Sequence, residues 1–185
     1  MTFNLRCDFP LDINNRWKNR RHITYNIIDK YKCDIIGTQE ATENMYKDIK
    51  KNSDNYNIIG TPRSRKFFVE RNDILVKNEN KIIESKTFWL SDTPDTVGSS
   101  KWFSVFPRIC TTAVIELSNK VKIRVCNSHL DCFTSKAREY ELKRLMELIE
   151  EEQIKEDLPI IIMGDFNSGP DSKLIKNLSS GVYGS

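Results

Sequence analysis

The chain has 185 residues, of which 38% are hydrophobic and 30% are charged. This length and composition are ordinary for a folded protein with its own core, so we expect residues 1–185 to form a single domain. The 29 basic and 26 acidic residues leave a net charge of +3, which is too small to argue nucleic-acid binding by itself. No apolar run approaches the ~20 residues that span a bilayer, and the N-terminus lacks a basic flank with a long apolar core. Cytoplasmic is therefore the default location.

The five cysteines contain no Cys-x-x-Cys pair, and two of them lie in probable strand segments among apolar neighbours. This pattern favours reduced, buried thiols in a reducing compartment over a disulfide framework or a zinc site.

The N-terminal part of the chain predicts a strand in "MTFNLRCD" and then a helix over residues 15–33. Asn14 or Asn15 can cap this helix, and its outer face is basic. The apolar residues that predict its buried face are Trp17, Ile23, Ile27 and Tyr31.

Short strands and a second helix are predicted next. "DIIGTQEA" indicates a strand that is followed by polar residues at its carboxyl end, and "ENMYKDIKK" indicates a helix. The segment from Tyr56 to Leu90 favours several short strands. The Pro-, Gly- and Ser-containing stretch "SDTPDTVGSSKW" is typical of a loop.

The C-terminal half predicts a hairpin, a long helix and a last strand. "ICTTAVIEL" and "VKIRVCNSHL" are two β-branched runs separated by a hairpin-length gap at residues 118–120. "SKAREYELKRLMELIEEE" predicts a helix, and the acidic run that ends it is interpreted as a solvated end. Residues Ile160 to Met163 are apolar at every position, which predicts a buried strand that ends at Gly164. The helical periodicity is carried by Leu142, Leu145, Met146 and Ile149.

Polar side chains recur where the predicted strands end. Each of them alone is more typical of a solvated loop. Together they suit a hard cation such as Mg²⁺, which needs carboxylate and carboxamide oxygens converging from separate strands. They are Asn4 in "TFNLR", Glu40 in "GTQEA", His129 and Asp131 in "NSHLD", and Asp165 and Asn167 in "GDFN".

This set of motifs, in this order, resembles the endonuclease/exonuclease/phosphatase superfamily of metal-dependent phosphoesterases with a deoxyribonuclease I-like fold. The resemblance runs from Met1 to about Ser168 and includes "NRWKNR", "KTFWLSDTPDTVGSSKW" and "FPRICTTAVIEL" beside the motifs above. It implies an α+β fold, namely a four-layer αββα sandwich of two facing mixed β-sheets flanked by helices.

The resemblance also implies a role for each motif residue. Glu40 corresponds to the principal ligand of Mg²⁺, or of Mn²⁺, and Asn4 assists it. Asp165 corresponds to the group that orients and deprotonates the attacking water. Asn167 holds a phosphate oxygen, and His129 faces the phosphate.

Two further assignments leave alternatives open. Glu70 in "VERND" lies where a carboxylate would keep His129 protonated and oriented, although the residues just after it depart from the family pattern. The guanidinium of Arg108 in "FPRIC" either binds two oxygens of a phosphate, as a fork, or forms a surface ion pair. Trp89 and Trp102 are interpreted as core or loop-packing residues rather than as substrate platforms.

The family's C-terminal strands and their Asp-His pair have no counterpart after "SSGVYGS", which predicts a domain that is incomplete at its C-terminal end. Three interpretations stay open: an active Mg²⁺-dependent phosphodiesterase, nuclease or phosphatase, an impaired fragment or pseudoenzyme that only binds phosphate-containing ligands, and a shortened reading frame. The substrate is a phosphate ester, with nucleic acid, nucleotide, sugar phosphate and phosphoinositide all open. "TPRSRK" (61–66) is either a phosphate-contacting loop or an exposed turn. No protein partner is indicated.

Overall fold

The computed structural model describes residues 1–66 and 69–182, which contain two four-stranded mixed β-sheets and a small two-stranded ribbon. The first sheet has the strand order β1 (Thr2–Asn4), β2 (Ile35–Gln39), β6 (Ile74–Lys77) and β4 (Tyr56–Ile59). The second sheet has the order β10 (Ile160–Asp165), β9 (Lys122–His129), β8 (Ile109–Glu116) and β7 (Lys81–Trp89). The ribbon pairs β3 (Ala41–Thr42) with β5 (Glu70–Arg71).

Four α-helices cover the outer faces of the two sheets. The helices are α1 (Trp17–Tyr31), α2 (Glu43–Asn52), α3 (Ser135–Lys155) and α4 (Lys173–Ser179), and a 3-10 turn (Ile13–Asn15) precedes α1. Apolar residues of α1 and α2 pack against the first sheet, and those of α3 and α4 pack against the second. A third apolar cluster lies between the sheets. These layers confirm the predicted four-layer αββα sandwich.

The predicted helices over "ENMYKDIKK" and "SKAREYELKRLMELIEEE" correspond to α2 and α3, and the predicted hairpin is the antiparallel pair β8–β9. The cysteines in the described residues are free, with Cys110 and Cys126 buried in this hairpin and Cys132 exposed. None of the described helices combines the length and apolar character that crossing a bilayer requires.

Helix α1 buries a different face from the predicted one. Its buried residues are Trp17, Thr24 and Ile28, whereas Ile23 and Tyr31 are exposed. A helix turns by about 100° per residue, so Ile23 lies about 120° around the axis from Trp17 and faces away from the sheet. The predicted cap residues Asn14 and Asn15 are not used, because the Asp8 carboxylate accepts the hydrogen bond from the Trp17 N–H at 2.8 Å.

Within the described residues, strand β10 lies at the edge of its sheet, whereas the sequence predicted a fully buried strand. It pairs with β9 on one side, and Ile161 is 48% exposed. The strand also continues through Gly164 to Asp165 instead of ending at the glycine. The reason lies in the backbone, because Gly164 has φ +151° and a Cβ there would lie 2.0 Å from the Ser128 carbonyl oxygen. Glycine lets β10 approach β9 closely enough to carry Asp165 into the register position of His129.

Candidate active site

The carboxyl ends of four strands meet at one end of the sandwich. Strand β1 runs parallel to β2 in the first sheet, and β10 runs parallel to β9 in the second. Asn4 ends β1, Glu40 follows β2, and His129 and Asp165 end β9 and β10 in the same register position. Parallel pairing therefore delivers four polar side chains to neighbouring strand ends in the two sheets.

Asn4 joins the carboxylates of the two sheets. Its amide nitrogen donates hydrogen bonds to Glu40 Oε1 at 2.8 Å and to Asp165 Oδ2 at 2.9 Å. Its amide oxygen accepts a hydrogen bond from the Arg6 N–H at 2.8 Å. The structure thus brings together three residues separated by as many as 161 positions in the chain.

Left-handed backbone recurs around these residues. Arg6, Glu40 and Asn167 have φ values of 53°, 62° and 47°. Such a conformation costs on the order of 1–3 kcal/mol for a non-glycine residue and persists only where surrounding contacts hold it. Glu40 is held because its second oxygen, Oε2, accepts a hydrogen bond from the Cys7 N–H at 2.9 Å. Asn167 is held by its own N–H, which donates to Asp165 Oδ1 at 2.9 Å.

The chemistry of these donors fits a hard divalent cation. Glu40 and Asp165 contribute carboxylate oxygens to a half-buried position, and Asn4 orients both through its amide nitrogen, which is a hydrogen-bond donor and not a metal ligand. Mg²⁺ is commonly bound by one or two protein carboxylates, with water completing its coordination. Within residues 1–66 and 69–182, no three His, Cys, Asp or Glu side chains gather closely enough to hold a metal ion by themselves, so a bound ion would rely on the carboxylates of Glu40 and Asp165 and on water.

The pKa of Asp165 reflects two opposing effects. Burial raises the pKa of this carboxyl, whereas the hydrogen bonds from Asn4 and from the Asn167 N–H lower it, and the net pKa lies below its ordinary value. Asp165 is therefore ionised at neutral pH and can accept a proton.

His129 and Asn167 form the second half of the cluster. Asn167 Nδ2 lies 3.0 Å from His129 Nε2 and donates another hydrogen bond to the Leu130 carbonyl at 2.9 Å. Because an amide nitrogen only donates, this network assigns Nε2 as the acceptor and puts the ring proton on Nδ1. Both amide hydrogens of Asn167 are thus engaged, so contact with a phosphate oxygen would have to replace one of these bonds.

The pKa of His129 is lowered to about 4 by burial and by the nearby positive charge of Arg108. The ring is therefore neutral at pH 7, which is the opposite of the protonated ring that the sequence predicted. Glu70 forms its salt bridge with Arg63, at 2.8 Å, and both side chains are largely buried. Arg63 lies within "TPRSRK", so this loop contributes a buried arginine next to the site in addition to its exposed residues.

Arg108 is buried, with only 4% of its surface exposed. Its Nη2 atom lies 3.8 Å from Cys132 Sγ and 3.9 Å from Asp131 Oδ2. This position excludes the predicted alternative of a surface ion pair. Binding of phosphate oxygens by the Arg108 guanidinium stays a prediction. Because Arg108 is buried, it applies only to a ligand that reaches deep into the site.

The sequence analysis did not single out Glu141, although this residue fixes the loop that follows His129. Glu141 is 1% exposed, and its carboxyl accepts hydrogen bonds from the Asp131 N–H at 2.7 Å and from the Ser104 hydroxyl at 2.9 Å. Asp131 in turn accepts bonds from the N–H groups of Phe133 and Thr134. One sequence feature could have indicated that Glu141 is buried: it directly precedes Leu142, which belongs to the apolar face of α3.

An open cavity of about 570 Å³ lies against Glu40. The loop that follows β1 forms most of its wall, so the cavity leads directly to the carboxylate. Its lining residues are Arg6, Cys7, Phe9, Leu11, Asp12 and Glu40.

The fold and the site together define an αββα protein with a polar cleft where the strand ends of its two sheets meet. The profile of the Endonuclease/Exonuclease/phosphatase family matches residues 1–183, and the chain belongs to this family.

Solved structures support the family assignment. An endonuclease/exonuclease/phosphatase family protein from Bacteroides thetaiotaomicron is 30% identical to the chain and superimposes with a TM-score of 0.90, covering 98% of this chain and 68% of its own. A mannosyl-6-phosphatase from the same organism is also 30% identical, with a TM-score of 0.90 and coverage of 98% and 70%.

A curated relative is an uncharacterized protein of Acanthamoeba polyphaga mimivirus, which is 32% identical over 170 residues. The match covers 86% of this chain and 62% of that protein, so the chain spans less than two thirds of this relative's length.

Proposed function

We propose that residues 1–185 form one domain of a Mg²⁺-dependent phosphoesterase, which hydrolyses a phosphate ester by in-line attack of water. The observation that carries the proposal is the hydrogen-bonded convergence of Glu40, Asn4 and Asp165, with His129 and Asn167 beside them. Membership of the Endonuclease/Exonuclease/phosphatase family supports the same reaction class.

In this proposal Glu40 would hold Mg²⁺, or Mn²⁺ in its place, and Asn4 would assist by positioning the Glu40 carboxylate. When bound, the ion supplies Lewis-acid stabilisation of the charge that grows on the phosphoryl oxygens. Glu40 suits this role because Asn4 and the Cys7 N–H fix its two carboxylate oxygens in place.

Asp165 orients the attacking water and accepts its proton, which its lowered pKa allows at neutral pH. Asn167 donates an amide hydrogen to a phosphate oxygen in exchange for one of its present bonds. His129 faces the phosphate beside it as a neutral ring. Glu70 acts through Arg63 rather than through His129, so we assign Glu70 the role of positioning the Arg63 guanidinium near the phosphate.

Metal binding by Glu40 is testable by titration. We expect Glu40→Ala to weaken Mg²⁺ binding by at least about tenfold, because the substitution removes a charged oxygen ligand. Isothermal titration calorimetry with Mg²⁺, in the absence of substrate, measures this affinity. Glu150→Gln is the matched control, since Glu150 is an exposed carboxylate of α3. Equal Mg²⁺ affinity in wild type and Glu40→Ala would remove Glu40 from the metal site.

The role of Asp165 is tested by the rate of hydrolysis. Asp165→Ala should lower the turnover of a generic phosphodiester and a generic phosphomonoester by roughly 10²–10⁴-fold, since this is the usual contribution of a general base. Thermal unfolding of the variant checks that it is folded. Turnover within twofold of wild type would show that another group activates the water.

An impaired protein that only binds phosphate-containing ligands is the second candidate. It is favoured by the bonds from Asn167 to His129 and to the Leu130 carbonyl, which leave Asn167 no free amide hydrogen for the charge that grows on a phosphate oxygen during hydrolysis, whereas Arg63 and Arg108 still place positive charge nearby for binding. Phosphate binding without metal-dependent turnover of either generic ester would support this candidate over the phosphoesterase. Sugar phosphates are among the possible substrates of the proposed phosphoesterase, because the Bacteroides mannosyl-6-phosphatase is 30% identical to this chain.

A further inference from the structure

A cluster of aromatic side chains lies exposed on the loop before β8 and on the segment that leads into α3. We call it the aromatic rim; it consists of Trp102, Phe103, Phe106 and Phe133, with Lys136 beside Trp102 and Phe103. Trp102 is 86% exposed and Phe133 is 61% exposed. The sequence-based interpretation of Trp102 as a core or loop-packing residue is therefore wrong for most of its ring, whereas Trp89 is buried as expected.

The rings of the rim pack in two pairs. Trp102 and Phe103 meet edge to face with centroids 5.5 Å apart, and Lys136 Nζ lies 5.2 Å and 5.1 Å from these two rings. Phe106 and Phe133 lie 6.3 Å apart at an angle of 50°. The rim thus consists of two supported pairs of rings, with a lysine beside the first pair, rather than of isolated rings.

The rim is continuous with the candidate active site. Phe133 follows His129 by four residues, and its N–H is held at 2.8 Å by the Asp131 carboxylate. Asn167 donates to the carbonyl of Leu130 in the same loop. On the other side, the guanidinium of Arg63 stacks on the Phe106 ring at 4.7 Å. Residues that arrange the polar cluster therefore also arrange the aromatic surface beside it.

We propose that the aromatic rim binds a nucleobase of the substrate, so that the substrate class is a nucleotide or a single-stranded nucleic acid end. The proposal rests on the proposed phosphoesterase function and adds the group that flanks the phosphate. Nucleobases present a π-face that stacks on exposed aromatic side chains, and flanking phosphates carry the charge that Lys136 attracts. A sugar phosphate has the charge but no π-system, so it contacts Trp102 and Phe133 only through its C–H groups and does not stack on them as a base does.

Tryptophan fluorescence tests binding without any need for turnover. The other two tryptophans, Trp17 and Trp89, are 4% and 3% exposed, so quenching by a ligand at the surface reports mainly on Trp102. We expect adenosine monophosphate to quench this emission, and ribose 5-phosphate, which differs only by the absent base, to leave it unchanged. Trp102→Phe should abolish the quenching. Quenching of equal size by both compounds, or by neither, would overturn the proposal.

Affinity provides a second readout. Phe133→Ala should weaken adenosine monophosphate binding by about 5- to 150-fold, the range expected for the loss of one base-stacking contact. Ile154→Ala is the control, because Ile154 is 83% exposed near the opposite end of α3. An unchanged affinity in Phe133→Ala would count against the rim.

The same measurements separate this proposal from the proposed function. Base-dependent binding with no metal-dependent turnover of any ester would support base binding by the aromatic rim and overturn the proposed phosphoesterase activity. Metal-dependent turnover with equal affinity for adenosine monophosphate and ribose 5-phosphate would support the phosphoesterase and overturn the rim.

Discussion

At the scale of single residues, the loop after His129 depends on a buried acid. Burial raises the pKa of Glu141 to about 7, and the bonds from the Asp131 N–H and Ser104 only partly offset this. The protonated carboxyl can still accept from the Asp131 N–H with one oxygen and donate to the Ser104 hydroxyl with the other. A glutamine has the same donor and acceptor arrangement.

Glu141→Gln should therefore remove a pH dependence of stability. The folded pKa lies above the ordinary value of 4.5, so the stabilisation is fully present below pH 4.5 and is lost as the pH rises through about 7. Urea unfolding between pH 4.5 and pH 8 should show wild type losing on the order of 3 kcal/mol relative to Glu141→Gln. Parallel pH profiles for the two proteins would contradict this.

Gly164 allows the close approach of strand β10 to strand β9. A Cβ there would lie 2.0 Å from the Ser128 carbonyl oxygen, and the φ of +151° is strained for other residues. We expect Gly164→Ala to lower the free energy of unfolding by at least about 2 kcal/mol, because β10 must move away from β9. Chemical denaturation measures this. Gly169→Ala, where a Cβ meets nothing within 4 Å, should have a much smaller effect.

At the scale of elements, one buried amide ties the two sheets together. Asn127 of β9 is fully buried, and its Nδ2 donates to the carbonyls of Thr38 and Asp73 in the first sheet, both at 2.9 Å. Its Oδ1 accepts from Gln39 Nε2 at 2.7 Å. Gly37 makes room for this contact, since a Cβ there would lie 2.8 Å from Asn127 Oδ1.

Asn127→Ala should destabilise the protein by about 2–4 kcal/mol, because it leaves buried polar groups without partners and opens a small cavity. Asn57→Ala on the exposed side of β4 is the control and should change stability by less than about 0.5 kcal/mol. Denaturant unfolding compares them. A loss of less than 1 kcal/mol in Asn127→Ala would mean that the sheets are held by the apolar cluster alone.

At the scale of the whole molecule, β10 presents an apolar edge. In the described residues it pairs only with β9, and Ile161 is 48% exposed there. An exposed apolar edge strand is a template for pairing with another chain. The site residue Asp165 lies at the end of the same strand, so association through this edge would also affect the site.

Purified as these 185 residues, the protein should self-associate with rising concentration, and Ile161→Lys should reduce this, because a charge on an edge strand opposes pairing. Sedimentation velocity measures the association. Ile154→Lys, on an exposed helix position, adds the same charge away from the edge and should not reduce it. A similar reduction by both variants would assign the effect to net charge.

Local patterns were enough to predict several elements. Helix α3 follows from the spacing of its leucines, and the β8–β9 hairpin follows from two β-branched runs around a short gap, because both depend on neighbours within about 20 residues. The motifs at the strand ends also indicated which polar residues gather, since strand ends that point the same way deliver their side chains to one edge. Asn4, Glu40 and Asp165 are the clearest cases.

Contacts between distant segments decided the rest. The buried face of α1, the edge position of β10 and the burial of Arg108 each depend on which element packs alongside, and local periodicity does not encode that. The neutral state of His129 likewise arises from burial and from the charge of Arg108, which lies just before β8. The sequence therefore determined the composition of the site and most of its elements, whereas only the tertiary structure decided their environment, because burial and charge act through space.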